Sequence, residues 1–241
     1  EKLENIMNWI ESYPHIAHRG LHGNGVVENT ERAVELAIKN GYAIEVDVQF
    51  LLNGEPVIFH DDNLNRLFDD PTYVKSINPK FVTFLRYADG QQVLFLKELL
   101  ELLDGRAPLL IEVKNDTFSN HALSALVKYL LSYRGKFSIQ SFNPQIIKKI
   151  KAVAPSFSVG QLVTCWHETH LNFWQQWYLQ FAEFYNDLDF ISVDKCKIGP
   201  REIFISKLKN INLISWTIKS DKEKQSLSNH VSGVIFEGFL P

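Results

Sequence analysis

The sequence predicts an α/β protein of the TIM-type (β/α)8 barrel class, and three observations support this prediction. Short apolar runs alternate with helix-like segments along most of the 241 residues, which is typical of parallel strands joined by crossover helices. The length suits one such barrel, since these folds commonly occupy roughly 250 residues. The content of 45% hydrophobic residues is enough for one large core. We therefore expect a single domain over residues 1–241.

The predicted elements follow one another in the order that such a barrel requires. Strands are expected at 15–19, 43–48, 56–59, 108–113, 136–140, 157–163, 189–193, 211–216 and 232–236. Helices are expected at 2–11, 30–40, 96–103, 119–132, 143–152, 169–185, 200–208 and 220–228. The polar, irregular segment 61–95 is interpreted as a small insertion after the second strand region, of a kind that often shapes a substrate site. Because no helix follows the last strand, the amphipathic segment 2–11 is expected to cover part of the barrel.

Charge and cysteine content argue against several classes of protein. The formal net charge is -3 and no block of Lys or Arg stands out, so nucleic-acid binding is not expected. Cys165 and Cys196 have neither C-x-x-C spacing nor the density of a disulfide scaffold, which indicates a reducing compartment. No apolar run approaches the ~20 residues that span a bilayer, and residues 1–12 lack a signal pattern. The expectation is a cytoplasmic protein; the oligomeric state is left open.

Two predicted strands alternate apolar residues with charged ones. In Ile-Glu-Val-Asp-Val the strand period of two places Glu45 and Asp47 on one face. Ile-Glu-Val-Lys repeats the pattern with Glu112 and Lys114. In a barrel covered by helices these charged faces are expected to point inward, near the rim where barrel active sites lie. The alternative is a pair of half-exposed edge strands with solvated charges.

The three carboxylates on these strands predict a metal site. Converging carboxylates repel one another unless a cation neutralises them, and hard oxygen ligands suit Mg²⁺ or Ca²⁺. We therefore expect Glu45, Asp47 and Glu112 to hold one divalent cation.

Two histidines stand where predicted strands become loops. His18 ends the first strand and His60 follows the short run Pro-Val-Ile-Phe. One imidazole can remove a proton from a nucleophile while an imidazolium protonates the leaving oxygen, which suits phosphodiester cleavage. Arg19 and Lys114 would add positive charge for the phosphoryl oxygens. A structural ion pair with a rim carboxylate is the alternative for Arg19.

The motifs, taken in order, resemble those of the glycerophosphodiester phosphodiesterase family. They are His-Arg-Gly, Glu-Asn-Thr, Glu-x-Asp, Pro-Val-x-x-His-Asp, Ile-Glu-x-Lys, Ser141-Phe142 and Trp216-Thr217. The resemblance implies a TIM-type barrel, a divalent cation on the three carboxylates and acid/base roles for His18 and His60. It also implies that Arg19, Lys114 and Glu28 line a phosphate pocket.

The same resemblance implies the reaction. A glycerol hydroxyl attacks the neighbouring phosphorus, an alcohol leaves, and the cyclic phosphate is hydrolysed to sn-glycerol 3-phosphate. The substrate that the resemblance implies is a small-molecule phosphodiester. Phe142 and Trp216, at strand ends, are candidates for the apolar wall of its pocket, although Trp216 could equally be barrel packing.

This sequence departs from the family pattern at two places. Asn53-Gly54 stands where the family often has Asp-Gly, a change compatible with the same turn. Phe-Glu-Gly-Phe-Leu-Pro at 236–241 replaces the usual Thr-Asp-x-Pro, so the role of the closing loop is open.

Two other functions are compatible with the same motifs. One is lysophospholipase D or sphingomyelinase D-like action, in which the aromatic segment 166–185 would contact lipid, so a peripheral lipid contact is left open. The other is a non-catalytic barrel that binds a phosphorylated ligand. The nearby His-Glu-Thr-His at 167–170 lacks the i, i+4 histidine spacing of a helical metal site and is interpreted as structural or incidental.

Overall fold

The computed structural model describes residues 9–114, 119–164 and 187–241. Its strands are β1 (His15–Ala17), β2 (Ala43–Phe50), β3 (Pro56–Ile58), β4 (Leu109–Val113), β5 (Phe137–Ser141), β6 (Val159–Val163), β7 (Phe190–Asp194), β8 (Asn212–Ile218) and β9 (Gly233–Phe236). Its helices are α1 (Trp9–Ser12), α2 (Glu31–Lys39), α3 (Asn65–Phe68), α4 (Pro79–Val82), α5 (Leu96–Leu103), α6 (Asn120–Ser132), α7 (Pro144–Val153), α8 (Pro200–Lys209) and α9 (Asp221–Leu227). Each predicted strand is present, with ends within about two residues of those expected. The helix predicted at 169–185 lies outside the described residues.

The chain divides into two compact units, and the first is Ala17–Phe137. Within it β2 pairs in parallel with β4, in a register that sets Asp47 opposite Glu112. β3 returns antiparallel to β2 through the Asn53-Gly54 turn. Gly54 has a φ of +83°, and a Cβ there would lie 2.9 Å from the Cβ of His121. Both the left-handed backbone and the close approach of α6 therefore require glycine at this turn. That the whole chain forms one domain stays a prediction.

The segment predicted as an insertion shares a small core with residues next to and within β2 and β3. It contains α3, a 3₁₀ turn at Val74–Ser76 and α4. Its apolar side chains pack under β2 and β3 in a cluster of buried residues that comprises Leu51, Val57, Phe59, Leu64, Val74, Ile77, Val82, Tyr87 and Val93. Because its helices are single turns, its apolar residues show no regular period, which explains why the sequence alone reads as irregular.

Among the described residues, the second compact unit comprises 9–16, 138–164 and 187–241. Strands β5 to β9 run parallel to their neighbours, and α7, α8 and α9 supply the crossovers after β5, β7 and β8. Trp9 and Ile10 on α1 are buried, and the Trp9 indole donates to Ser138 Oγ at 2.9 Å. The described end of the predicted N-terminal helix therefore packs against this unit. Residues 1–8 lie outside the described part.

The second unit also changes one inference from composition. Cys196, which follows β7, is disulfide-bonded, although cysteine spacing gave no indication of a bridge. Pairing between cysteines distant in sequence depends on the fold, so spacing alone could not reveal it. That the protein is cytoplasmic stays a prediction. Separately, no helix within 9–114, 119–164 and 187–241 has the length and apolarity that crossing a membrane requires.

Candidate active site

Three buried carboxylates lie together in the first unit. Glu45 and Asp47 project from β2, and Glu112 projects from the facing position of β4. One oxygen from each carboxylate lies within 4.8 Å of the oxygens of the other two. The strand period and the parallel register together bring the three groups to one place, as the alternating sequence predicted. This arrangement offers several hard oxygen donors to a cation.

Two cations lie against the carboxylates. Lys114 Nζ is 2.8 Å from Asp47 Oδ1 and also donates a hydrogen bond to Glu112. Arg19 donates its backbone N–H to Glu45 Oε2 at 2.9 Å, and its Nε lies 3.2 Å from Asp47 Oδ2. Charged groups taken out of water are costly unless they are paired, so these contacts are needed to keep the acids buried. The ion-pair alternative for Arg19 is therefore present in the structure.

The two carboxyl groups on β2 have pKa values shifted in opposite directions. Burial raises the pKa of Glu45, and the negative charges of Asp47 and Glu112 raise it further. Burial alone would raise the pKa of Asp47 too, but the positive charges of Lys114 and Arg19 outweigh burial and hold it well below the usual range. Asp47 is therefore the ionised anchor of the cluster, whereas Glu45 favours the protonated form. A positive charge brought near Glu45 would favour its ionisation.

Asn29 fixes the orientation of Asp47. Its side-chain amide donates to Asp47 Oδ2 at 2.9 Å, and the backbone of Asn29 is left-handed, with a φ of +57°. Asparagine and threonine are both common N-cap residues, so the sequence offers Asn29 and Thr30 alike as the N-cap of the following helix. Thr30 takes that position, since its Oγ1 accepts from the Ala33 N–H. Asn29 is thereby available to the buried aspartate, a role that the sequence did not indicate.

His60 is held by its neighbour in the chain. Its Nδ1 lies 2.6 Å from Asp61 Oδ1, and the ring is partly exposed. Gln49 is fully buried and donates through Nε2 to the backbone oxygens of His60 and Asp61, at 3.3 and 3.2 Å. The loop that carries the histidine is therefore held by hydrogen bonds from a residue of β2. Gln49 follows the strand period of Glu45 and Asp47, which is the signal that could have found it.

Arg66 on α3 links Glu28 to Asp61. Its Nε donates to Asp61 Oδ2 at 2.6 Å, and its NH2 donates to Glu28 Oε1 at 2.6 Å. Glu28 also accepts from Arg19 NH1 at 2.8 Å. A continuous series of charged contacts thus runs from Arg19 through Glu28, Arg66 and Asp61 to His60. Sequence reasoning missed Arg66, because nothing in an irregular segment indicates which side chain turns back to the site.

The carboxylates in this series are acidic for the same reason. Burial would raise the pKa of Glu28, but hydrogen bonds from Arg66 and the charge of Arg19 lower it overall. Burial likewise opposes ionisation of Asp61, and its contacts with Arg66 and His60 hold its pKa below the ordinary value. Both groups are therefore ionised at neutral pH and keep the cations in position.

The remaining predicted residues are placed as follows. His18 directly follows β1 and is half-buried, with its ring centroid 6.2 Å from that of His22. Phe142 and Trp216 belong to the second unit, where their rings meet edge to face at 5.6 Å. The Trp216 indole donates to Ser192 O at 3.1 Å. The structure brings these two aromatic residues to each other; their contact with substrate stays a prediction.

Comparison with known proteins agrees with the motifs. Residues 18–237 match the model of the glycerophosphoryl diester phosphodiesterase family. The chain is 26% identical to glycerophosphodiester phosphodiesterase 1 of Bos taurus, over 90% of this chain and 75% of that protein. It is 27% identical to a glycerophosphodiester phosphodiesterase of Caldanaerobacter subterraneus subsp. tengcongensis, over 91% and 92% of the two chains.

Solved structures confirm the fold class. One is a phosphodiesterase of Oleispira antarctica in complex with the product sn-glycerol-3-phosphate, with a TM-score of 0.77, 22% identity and coverage of 92% of each chain. Another is a glycerophosphodiester phosphodiesterase of Thermotoga maritima, with a TM-score of 0.73, 21% identity and coverage of 93% and 94%. The predicted TIM-type barrel is confirmed.

Proposed function

Since this chain belongs to the glycerophosphoryl diester phosphodiesterase family, we propose that it hydrolyses glycerophosphodiesters to sn-glycerol 3-phosphate and an alcohol. The buried cluster of Glu45, Asp47 and Glu112 is the observation that carries the proposal. Three carboxylates converge at one buried place where Lys114 and Arg19 supply only two positive charges, and such clusters of buried acids occur mainly at functional sites. The alternative of solvated edge strands does not apply to side chains that are buried.

The donor set fits a divalent cation. Glu45 Oε1 is buried and accepts no hydrogen bond from any described residue, so one ligand atom is unsatisfied. With Glu28 and Asp61 included, five acids in this region meet three cations, which leaves two negative charges at formal ionisation. One divalent cation on Glu45, Asp47 and Glu112 would balance that charge, and the all-oxygen donors favour Mg²⁺ or Ca²⁺. When bound, such a cation supplies Lewis acidity toward phosphoryl and hydroxyl oxygens.

Two basic side chains are proposed to hold the phosphate. A lysine ammonium has three donors, and Asp47 and Glu112 take two of those of Lys114, which leaves one for a phosphoryl oxygen. Arg19 uses NH1 for Glu28 and keeps the other side of its guanidinium fork for the ligand. Glu28 then lines the pocket as the group that orients Arg19. Phe142 and Trp216 are proposed as its apolar wall.

His60 and His18 are proposed as the proton-transfer pair. When His60 Nδ1–H donates to Asp61, the lone pair is on Nε2, which is then the atom that takes or returns a proton. Asp61 stabilises the imidazolium that forms. In the first step one histidine takes the proton of the glycerol hydroxyl as its oxygen bonds to phosphorus, and the other protonates the departing alkoxide. Water then opens the cyclic phosphate, with the proton transfers reversed.

The decisive experiment measures hydrolysis of glycerophosphocholine with Mg²⁺, with Ca²⁺ and after EDTA. We expect activity to be lost in EDTA and restored by a divalent cation. His18→Ala and His60→Ala should each lower kcat by at least ~10²-fold. His230→Ala, which removes an exposed histidine after α9, is the matched control and should have no effect. Full activity in EDTA and in both site variants would refute the proposed mechanism.

A further inference from the structure

Residues 73–86 present two different faces. The inward face packs into the core of the insertion through Val74, Ile77 and Val82, which are buried. The outward face, as we use the term, is the set of exposed aromatic and basic side chains of the same segment. We name this face the insertion surface, and its members are Tyr73, Lys75, Lys80, Phe81, Phe84 and Arg86. The buried anchors hold the exposed groups on a packed base rather than on a loose loop.

Exposed aromatic side chains are concentrated on the insertion surface. Among the described residues five large aromatic side chains are exposed, and three of them lie on this surface. Phe84 is 79% exposed and Tyr73 is 53% exposed. Leu52, 69% exposed, is joined to the same region, because its N–H donates to Ile77 O at 3.1 Å. Single exposed apolar residues are ordinary, whereas several close together mark an interaction site.

The charge of the segment complements an anionic surface. Residues 73–86 contain Lys75, Lys80 and Arg86 and no Asp or Glu, although the whole chain has a net charge of -3. Lys75 Nζ lies 5.6 Å from the centroid of the Tyr73 ring, so a cation and an aromatic ring are presented together. Exposed aromatic and basic side chains combined in one short segment suit the headgroup region of a bilayer. Three cations are few for nucleic acid, where roughly six to ten phosphate contacts are common.

The insertion surface is connected directly to the loop that carries His60. The Val74 N–H donates to Asp62 O at 2.9 Å, and Gln49 Nε2 donates to Asp62 Oδ1 at 3.1 Å. Asp62 is two residues beyond His60. Hydrogen bonds through Asp62 therefore connect the segment that carries the exposed aromatic side chains to the loop that carries His60.

From these observations we propose that the insertion surface, with Leu52, binds the surface of an anionic lipid bilayer. Its aromatic side chains enter the interface between headgroups and acyl chains, and its three cations contact anionic headgroups. The proposal concerns binding alone and does not depend on which diester is hydrolysed.

Vesicle sedimentation with the full chain tests the contribution of the aromatic residues. We expect binding to vesicles of phosphatidylglycerol and phosphatidylcholine, and weaker binding to phosphatidylcholine alone. Phe84→Ser should weaken binding about tenfold, the effect of withdrawing much of a phenylalanine ring from an apolar phase. Phe204→Ser, which removes an exposed phenylalanine of α8, is the matched control and should not weaken binding. Equal losses of vesicle binding in both variants would overturn the proposal. It would also be overturned if the unsubstituted protein bound neither kind of vesicle.

The contribution of charge is tested in the same assay. Lys80→Gln should weaken binding to anionic vesicles about fivefold, since each basic residue near such a surface contributes about 1 kcal/mol. Lys128→Gln, at an exposed position of α6, is the control. Binding of a single-stranded oligonucleotide in preference to vesicles, or self-association that Phe84→Ser abolishes without any vesicle binding, would assign the surface to another partner and refute the proposal. Loss of glycerophosphocholine hydrolysis with vesicle binding intact would refute only the proposed enzymatic function.

Discussion

The carboxylate-bearing strands and the insertion contribute to one site in different ways. β2 and β4 are buried along their whole length, so the direction of each side chain follows from the strand period. The insertion consists of single helical turns, and its contribution, Arg66, is 46% exposed. The strands supply charge that cannot move away from its neighbours. The insertion supplies contacts that can be altered without leaving a charge buried and unpaired.

The largest effects are expected on β2, where Glu45 and Asp47 should separate activity from stability. Asp47→Asn and Glu45→Gln should each lower kcat/KM by at least about 10³-fold, because each removes an anionic donor from the proposed cation site. Asp47→Asn should also cost about 3 kcal/mol of unfolding free energy, since it deprives Lys114 and Arg19 of a buried partner. Glu45→Gln should cost little stability in the absence of a cation, because Glu45 then favours its neutral form.

Urea unfolding in EDTA, together with kinetics in Mg²⁺, measures both quantities. A Glu45→Gln protein destabilised as much as Asp47→Asn would show that the two carboxylates are equivalent.

A smaller effect is expected in the insertion, at Arg66. Arg66→Ala should lower kcat for glycerophosphocholine about tenfold, because Asp61 and Glu28 lose the group that holds them in place. Arg66→Lys should recover only part of the loss, since an ammonium cannot reproduce the fork that reaches both carboxylates. We expect KM to change less than kcat, as befits a residue that positions others.

Arg86→Ala is the matched control. This exposed arginine of the insertion donates NH1 to the backbone oxygens of Thr83 and Leu85. Equal losses of kcat in Arg66→Ala and Arg86→Ala would mean that the insertion acts only through its general integrity.

The pH dependence of stability should reveal the same contacts. The pKa values of Glu28 and Asp61 are lowered from 4.5 and 3.8, so their stabilising contribution is present above those values and is lost as the pH falls through the folded-state values. Arg66→Ala should therefore destabilise the protein by about 1 kcal/mol at neutral pH, a modest figure because Arg66 is partly exposed. The difference from the unsubstituted protein should shrink in acid.

Chemical unfolding at a series of pH values between roughly 3 and 7 measures this difference. A stability difference between Arg66→Ala and the unsubstituted protein that grows as the pH falls would contradict the prediction.

The smallest effect is expected in the core of the insertion, at Tyr87. Its hydroxyl is buried and contacts no hydrogen-bond partner among the described residues, and burial raises its pKa. Tyr87→Phe removes an unsatisfied polar group, so the unfolding free energy should stay constant or rise by up to about 1 kcal/mol. Thermal unfolding would detect the change. A clear loss of stability would indicate that the insertion core depends on polar contacts as the strand site does.

The same contrast explains which features could be predicted from the sequence. The alternation in β2 and β4 predicted that Glu45, Asp47 and Glu112 converge, because side chains of a strand point in only two directions. It also predicted a cation, because carboxylates that converge inside a barrel repel one another. The strands themselves were found as short apolar runs between helix-like segments.

Residues whose role depends on tertiary contacts were not predicted. Arg66 and Asn29 reach groups far along the chain, and Asn29 had a plausible local role as a helix cap. The insertion surface was hidden within a segment interpreted as irregular, since one-turn helices produce no period. The bridge at Cys196 depends on a partner that the spacing of cysteines does not indicate.

Three successive residues in the loop before α2 each have a separate partner. Glu28 contacts Arg19 and Arg66, Asn29 holds Asp47, and Thr30 caps the helix. Inserting or deleting one residue here would displace all three side chains at once, whereas the same change in an outward turn would displace none of them. The length of this loop should therefore be far less tolerant of variation than its composition, and libraries that vary loop length should recover almost no active members at this place.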